Sequence, residues 1–205
     1  MPEIKRNKMP EIGVLILAAG GSRRLGKPKQ LLRYEQESLL LRIVNSVLKL
    51  QDILPMVVVG AQRELMMQEL AAKPVDVIYN ERWESGLATS IAVGLSGILQ
   101  KNERLQGCLF VVCDQPFLNT AVLQQILDKQ LQPDKGIVAA AYDGTVGTPV
   151  FFRRKYFEKL LQLSQDEGAK KVVTRHLSDL VMVPFAEGAT DIDTQEDYSR
   201  LINGH

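Results

Sequence analysis

Residues 12–18, Ile12-Gly13-Val14-Leu15-Ile16-Leu17-Ala18, run without a break into Ala19-Gly20-Gly21-Ser22-Arg23-Arg24-Leu25-Gly26-Lys27-Pro28-Lys29-Gln30. The opening run carries no polar side chain. A half-exposed strand alternates apolar and polar residues, so an unbroken apolar run predicts a strand buried on both faces, as in a parallel sheet. The glycines and serine that follow permit a tight turn and a close approach of backbone to a ligand. Four cations, Arg23, Arg24, Lys27 and Lys29, fall within seven residues. Backbone amides exposed in such a turn form a nest for anions. The carboxyl end of a buried strand is also where open α/β sheets hold their ligands.

The pattern continues outward from this point. Short β-branched runs at 55–59, 75–79, 107–112 and 136–141 predict further strands. Longer patterns at 38–50, 61–72, 88–100, 119–131, 153–163, 168–177 and 194–202 predict helices, the first capped by Ser38. Strand and helix in alternation argue for an α/β fold with a doubly wound, mostly parallel sheet and helices on both faces. An extended piece at 148–152 interrupts the alternation. No repeat, low-complexity tract or linker divides the chain. The expected organisation is a flexible basic tail at 1–11 followed by one domain at 12–205.

Composition narrows the function. The 205 residues are enough for one core, and 45% apolar with 24% charged side chains is an ordinary globular balance. Twenty-five Lys and Arg against 24 Asp and Glu leave a net charge of +1. That balance points neither to duplex nucleic acid nor to an anionic membrane as a partner. No stretch approaches the roughly 20 apolar residues of a membrane span. Lys5, Arg6 and Lys8 before an apolar run imitate a signal peptide, but the run is short and Arg23, Arg24, Lys27 and Lys29 follow at once. Cys108 and Cys113, in one apolar run, point to opposite faces of a strand, so they do not pair and are expected as buried small apolar residues. Reduced thiols fit a cytoplasmic protein. His176 and His205 lack partners at ligand spacing and are expected on the surface.

Which ligand the glycine-rich loop takes depends on its details. Gly21-x-x-x-x-Gly26-Lys27 fits most of a Walker A pattern, but Pro28 stands where Ser or Thr must hold Mg²⁺, which excludes a P-loop. The G-x-G-x-x-G dinucleotide fingerprint is absent. LAAGGSRRLGKPKQLL instead resembles the L-A-A-G-x-S-x-R-x-G-x-P-K signature of the MobA/MocA-like nucleotidyltransferases, and within them the molybdenum cofactor cytidylyltransferase branch. The resemblance extends from residue 12 to 202 and implies a single-domain nucleotidyltransferase fold.

The resemblance also implies roles. The loop wraps a nucleoside triphosphate through the nucleotide-binding residues Leu17, Ala18, Ala19, Gly20, Gly21 and Ser22, with the backbone near Ala18, Ala19 and Gly20 at base and ribose, and Arg24 and Lys29 on the phosphates. L-A-A-G in place of the L-A-G-G of guanylyl-transferring relatives favours CTP over GTP. Asp114, in Asp114-Gln115-Pro116 at the end of the 107–112 strand, corresponds to the family's metal ligand. A carboxylate there suits Mg²⁺, which takes one or two carboxylates plus substrate phosphates, although oxygen ligands suit Mn²⁺ as well.

Asp191-Ile192-Asp193-Thr194 resembles the family's D-I-D-T element. Asp193 is the preferred second metal ligand and Asp191 the other candidate. Thr194 reads as the cap of a helix with Asp197 in its first turn. Asn80-x-x-Trp83-x-x-Gly86-x-x-x-Ser90 resembles another family stretch, in which Ser90 faces base or ribose and Gly86 allows close approach. Trp83 reads equally as a packing residue. Gly147-Thr148-Pro149-Val150 and Asp166-Glu167-Gly168-Ala169-Lys170 resemble elements that shape the acceptor pocket. Gln165 and Lys170 depart from the family pattern there, which leaves the acceptor open.

The implied enzyme is a nucleotidyltransferase that moves CMP from CTP to the phosphate of molybdopterin cofactor with release of pyrophosphate. Its implied metal is Mg²⁺, with Mn²⁺ possible, and its catalytic residues are Arg24, Lys29 and Asp114. A molybdenum hydroxylase that receives the product is the implied protein partner. The alternatives are GTP as donor, a sugar or isoprenoid phosphate as acceptor, and a non-catalytic cofactor-delivery protein.

Overall fold

The computed structural model describes residues 11–131, 134–165 and 167–204. The expected tail at 1–11 therefore lies, but for its last residue, outside the described residues, as do Asp166 and His205. The chain runs β1 (Ile12–Ala18), β2 (Arg33–Tyr34), β3 (Glu37–Ser38), α1 (Leu39–Val47), β4 (Ile53–Val59), α2 (Arg63–Leu70), β5 (Asp76–Tyr79) and α3 (Leu87–Lys101). It continues through β6 (Gly107–Val112), α4 (Thr120–Lys129), β7 (Ile137–Tyr142), β8 (Thr145–Arg153), α5 (Phe157–Leu161), α6 (Lys170–Thr174), β9 (Leu180–Pro184) and α7 (Gln195–Asn203).

Seven strands form one sheet in the order β5-β4-β1-β6-β8-β7-β9. β1 pairs in parallel with β4 on one side and β6 on the other. β8 runs antiparallel to both β6 and β7, and β9 is parallel to β7. From β1 the chain first winds outward to β4 and β5, then crosses back to β6. The winding reverses between β1 and β6, and the crevice beyond their carboxyl ends is the ligand position of such sheets.

Each face of the sheet has its own core. Val14, Ile16, Val57, Val59 and Val111 pack against α1, α2 and α4 through residues such as Ile43, Met66 and Ile126. Leu15, Leu17, Met56, Val58 and Phe110 pack against α3, α5 and α6 through Ile91, Leu95, Phe157 and Val173. Both faces of β1 are covered, which is why its sequence is continuously apolar. Cys108 and Cys113 are buried in opposite cores and unpaired, as their spacing predicts.

The helices are mostly shorter than the patterns that announce them. The one expected at 61–72 begins at Arg63 because Gln62 sits in the left-handed region at φ 55°. That expected at 153–163 splits into a 3₁₀ turn and α5. That expected at 168–177 is reduced to α6. The extended piece at 148–152 is part of the antiparallel β8. β9 and the β2–β3 hairpin had no counterpart in the sequence reading. Ser38 and Thr194 cap their helices as expected, Ser38 Oγ accepting from the amide of Leu41 at 3.1 Å. His176 is a correction to the sequence reading. It is half-buried, its Nδ1 2.8 Å from the Val172 carbonyl oxygen and its ring edge-on to Tyr156. No helix among the described residues is long and apolar enough to cross a membrane.

Candidate active site

The loop after β1 is built around a buried glutamine. Gln30 is 2% exposed. Its Nε2 donates to the carbonyl oxygens of Ala18 and Gly20, both at 2.8 Å. Buried carbonyls need donors, and one side chain here serves two. Ser22 Oγ accepts from the Lys29 amide at 3.0 Å, and the amides of Leu25 and Gly26 close a turn on the Ser22 carbonyl. Leu25 is buried in a small third core with Leu32, Leu39, Ile192 and Leu201. The end of β4 supports the loop from beside it. The amide of Ala61 donates to the Ala19 carbonyl at 3.0 Å. A Cβ on Gly60 would stand 2.6 Å from that same oxygen, so only glycine permits this approach.

A cavity of about 360 Å³ opens beneath the loop. Its walls include Leu17, Ala19, Gly20, Gly21, Lys29 and Asp114, and across from them Trp83, Gly86 and Ser90. The structure thus brings together most of the residues singled out in the sequence. Ala18, Ser22, Arg24 and Asp193 do not line it. Ala18 is buried in the core with its carbonyl held by Gln30, and Ser22 shapes the loop from within. Of the other two cations, Arg23 lines the cavity while Lys27 turns away to sit 5.1 Å from the centre of the Tyr198 ring.

The far wall is equally fixed. Gly86 adopts φ 100°, which admits glycine at the start of α3. Asn80, 1% exposed, donates from Nδ2 to Thr89 Oγ1 and Ser90 Oγ, each at 2.9 Å. Its Oδ1 accepts from the Arg82 amide at 2.9 Å. Ser90 Oγ thereby accepts from Asn80, which orients its own proton elsewhere. Trp83 both packs and lines: its ring stands where a Gly21 side chain would be, 2.7 Å from an added Cβ, and forms part of the cavity wall.

At the edge of the cavity lies a charged cluster. Lys29 Nζ donates to Asp114 Oδ2 at 2.7 Å and to Asp193 Oδ1 at 2.8 Å. Arg24 Nη2 takes the other oxygen of Asp193 at 2.5 Å. Burial alone would lower the Lys29 pKa, but the charges and hydrogen bonds of Asp114 and Asp193 outweigh it and hold the ammonium above its ordinary value. Burial likewise pushes Asp193 up, and Lys29 and Arg24 more than reverse this. Asp191 lies near the cluster without a cation of its own. Burial and repulsion from Asp114 and Asp193 raise its pKa. The segment is fixed by Ile192, fully buried in the third core, whose amide donates to the Asp114 carbonyl at 2.9 Å.

Asp114 and Asp193 thus converge on one cationic point. Two carboxylates beside a cavity are a donor set that Mg²⁺ or Mn²⁺ takes when phosphate oxygens complete the shell. The residues fit a divalent ion held by Asp114 and Asp193. Among the described residues no group of three or more His, Cys, Asp and Glu side chains converges as a metal cage. Cys113, beside Asp114 in the cavity wall, has its thiol pKa raised by burial, so it stays protonated.

A second cavity, of about 210 Å³, adjoins the first and shares Leu17, Leu87 and Val112 with it. Its outer walls include Tyr142, Gly147, Thr148, Ala169 and Lys170. Of the elements marked in the sequence as shaping an acceptor pocket, Gly147, Thr148, Val150, Gly168, Ala169 and Lys170 line this cavity, and Asp166 lies outside the described residues. Gln115, next to Asp114, ties the strand end to this side. Its Nε2 donates to the carbonyls of Thr148 at 3.1 Å and Gly188 at 3.0 Å. The sequence reading missed Gln30, Asn80 and Gln115 as site-building residues. Asn80 and Gln115 stand in the quoted motifs and Gln30 at the end of the loop stretch, but without a role of their own, and burial of these side chains is visible only in the fold.

The chain is similar to several known proteins. The MobA-like NTP transferase domain matches residues 14–180. Nicotine blue oxidoreductase of Paenarthrobacter nicotinovorans is 25% identical over 95% of this chain and 98% of its own. Molybdenum cofactor cytidylyltransferase of Escherichia coli K12 is 22% identical over 93% and 95%. The crystal structure of Rv0371c from Mycobacterium tuberculosis H37Rv superposes with a TM-score of 0.82 at 29% identity, over 96% of this chain and 100% of that one. A manganese complex of Rv0371c superposes with a TM-score of 0.76 at 27% identity, over 95% and 100%. Because the domain match spans residues 14–180, most of the chain, the protein belongs to the MobA-like NTP transferase family.

Proposed function

We propose that the protein transfers CMP from CTP to the phosphate of molybdopterin cofactor and releases pyrophosphate. The observation that carries this reading is the placement of Lys29, Asp114 and Asp193 at one point beside the cavity under the 19–30 loop. Likeness to a molybdenum cofactor cytidylyltransferase over 93% of the chain supports the choice of reaction. The second Ala of L-A-A-G supports CTP as donor.

The chemistry is the joining of anions that repel each other. The acceptor phosphate displaces pyrophosphate at the α-phosphorus, and the protein's task is to position and neutralise. The loop amides from Ala19 to Gly21 and Ser90 hold the nucleoside in the first cavity. Arg23, Arg24 and Lys29 face the triphosphate and the developing charge on the leaving group. The second cavity receives the acceptor, with Lys170 at its rim. Asp114 and Asp193 hold Mg²⁺ or Mn²⁺, which when bound supplies positive charge to the phosphate oxygens. The reading uses no protein nucleophile, in keeping with a Cys113 held as the thiol. A cytoplasmic setting and a molybdenum hydroxylase as recipient belong to the same reading.

The likeness to nicotine blue oxidoreductase favours a second reading, oxidation–reduction in place of group transfer. Pyrophosphate release separates the two. The purified chain, given molybdenum-loaded molybdopterin, Mg²⁺ and CTP, should release pyrophosphate and form the cytosine dinucleotide. No release with any nucleoside triphosphate would reject transfer to molybdopterin.

A further inference from the structure

The ammonium of Lys29 stands between the two carboxylates read as metal ligands. It is 2.7 Å from an oxygen of Asp114 and 2.8 Å from one of Asp193, and a Mg²⁺ bridging those oxygens would sit about 2.1 Å from each. The two cations cannot share that space. We propose that Lys29 is a displaceable counter-cation that holds the metal position between Asp114 and Asp193 until a nucleoside triphosphate arrives, so that metal and nucleotide bind together rather than separately. The inference rests on the reading of Asp114 and Asp193 as metal ligands.

Three features support an exchange rather than a permanent ion pair. First, the backbone pivot is fixed, while the ammonium sits at the end of a long rotatable stem. The Lys29 amide is held by Ser22 Oγ at 3.0 Å and the next residue, Gln30, is pinned to Ala18 and Gly20. The four-carbon stem can therefore swing without moving the loop. Second, Lys29 already lines the nucleotide cavity, so its alternative position lies beside the phosphates. Third, both oxygens of Asp193 are occupied, Oδ1 by Lys29 and Oδ2 by Arg24. A metal arriving alone must break both ion pairs of Lys29 and brings no new anion to replace them. A metal arriving with a triphosphate offers Lys29 a new anion in the same step.

Such a device couples the two ligands. By linkage, nucleotide must tighten metal binding by the same factor as metal tightens nucleotide, and couplings of this kind are about 5–150-fold. Before the ligands arrive, Lys29 also keeps two neighbouring carboxylates from repelling each other.

The test uses Mn²⁺ alone, so it does not depend on which nucleotide the enzyme takes. Free Mn²⁺ is titrated by electron paramagnetic resonance with the wild type, Lys29→Gln and Lys29→Met, each checked by circular dichroism. The expected result is Mn²⁺ binding at least about tenfold tighter in the Lys29 variants, lost again when Asp114→Asn is added. Equal or weaker binding by the variants overturns the inference. Tight binding that survives Asp114→Asn overturns it together with the metal-ligand reading. A second measurement needs no variant: the ¹⁵N resonance of the Lys29 ammonium should stay in place with millimolar Mg²⁺ and move when CTP or GTP is added with it. Calorimetrically detected Mg²⁺ binding that leaves the resonance unmoved, with nucleotide present, contradicts displacement.

Discussion

The backbone amide of Ile192 donates to the carbonyl oxygen of Asp114 at 2.9 Å. This one bond joins the end of β6 to a segment near the carboxyl terminus. It sets Asp193 beside Asp114, and the buried Ile192 side chain keeps the neighbouring carboxylates turned outward. The two aspartates therefore act as a unit built from distant parts of the chain.

Asp114→Ala should remove turnover and spare the fold. Its carboxylate meets Lys29 at the cavity edge and supports no core residue. Loss of one preorganised charge contact of this kind costs about 100-fold or more in kcat. The check is steady-state kinetics beside a thermal melt. Retained activity would show that Asp114 is not in the machinery.

Asp193→Asn and Asp191→Asn should separate the two candidates for second metal ligand. The first loses ion pairs to Lys29 and Arg24 and should lower both activity and stability. The second relieves repulsion from Asp114 and Asp193 and should raise the melting temperature at pH 7 while activity persists. Activity lost in Asp191→Asn but kept in Asp193→Asn would reverse the assignment.

Gln30→Ala should loosen the loop. It removes donors from two carbonyls in or near the core, and each such loss costs about 1–3 kcal/mol. The urea midpoint should fall, and KM for the nucleotide should rise more than kcat falls. An unchanged KM would mean that the loop keeps its shape without Gln30.

Stability should respond to pH only at the extremes through this cluster. Asp193 is held below the ordinary carboxylate value of 3.8, so its contribution is present above that value and is lost as pH falls through its lowered folded-state pKa. Lys29 is raised above 10.5, so its contribution is complete below 10.5 and is lost as pH rises through the higher folded-state value. Denaturation followed from pH 3 to 11 in the wild type and Asp193→Asn should show the difference between them shrink at low pH. A constant difference throughout would contradict the charge assignment.

How much of this was legible depends on where the information resides. β1, β4 and β6 declare themselves because both faces are buried, and an unbroken apolar run has few other meanings. The Thr194 cap with Asp197 is local and was equally readable. β9 was not, because it is the edge strand. Met182 is 61% exposed and Val183 is the strand's only buried residue, so its composition reads as ambiguous. Resemblance assigns Lys29 to phosphates, whereas the fold places it on carboxylates 85 and 164 residues away. No local pattern encodes such a contact. The same holds for Gln30, whose importance comes from burial beneath a loop that looks exposed in sequence.

The central claim is that this chain moves a cytidylyl group. The most direct measurement supplies CTP or GTP labelled at the α-phosphate, in parallel, with molybdenum-loaded molybdopterin and Mg²⁺, and follows the label. The account predicts label in a pterin dinucleotide from CTP only, absent with Asp114→Ala. Label from GTP only, or from neither nucleotide, would contradict it.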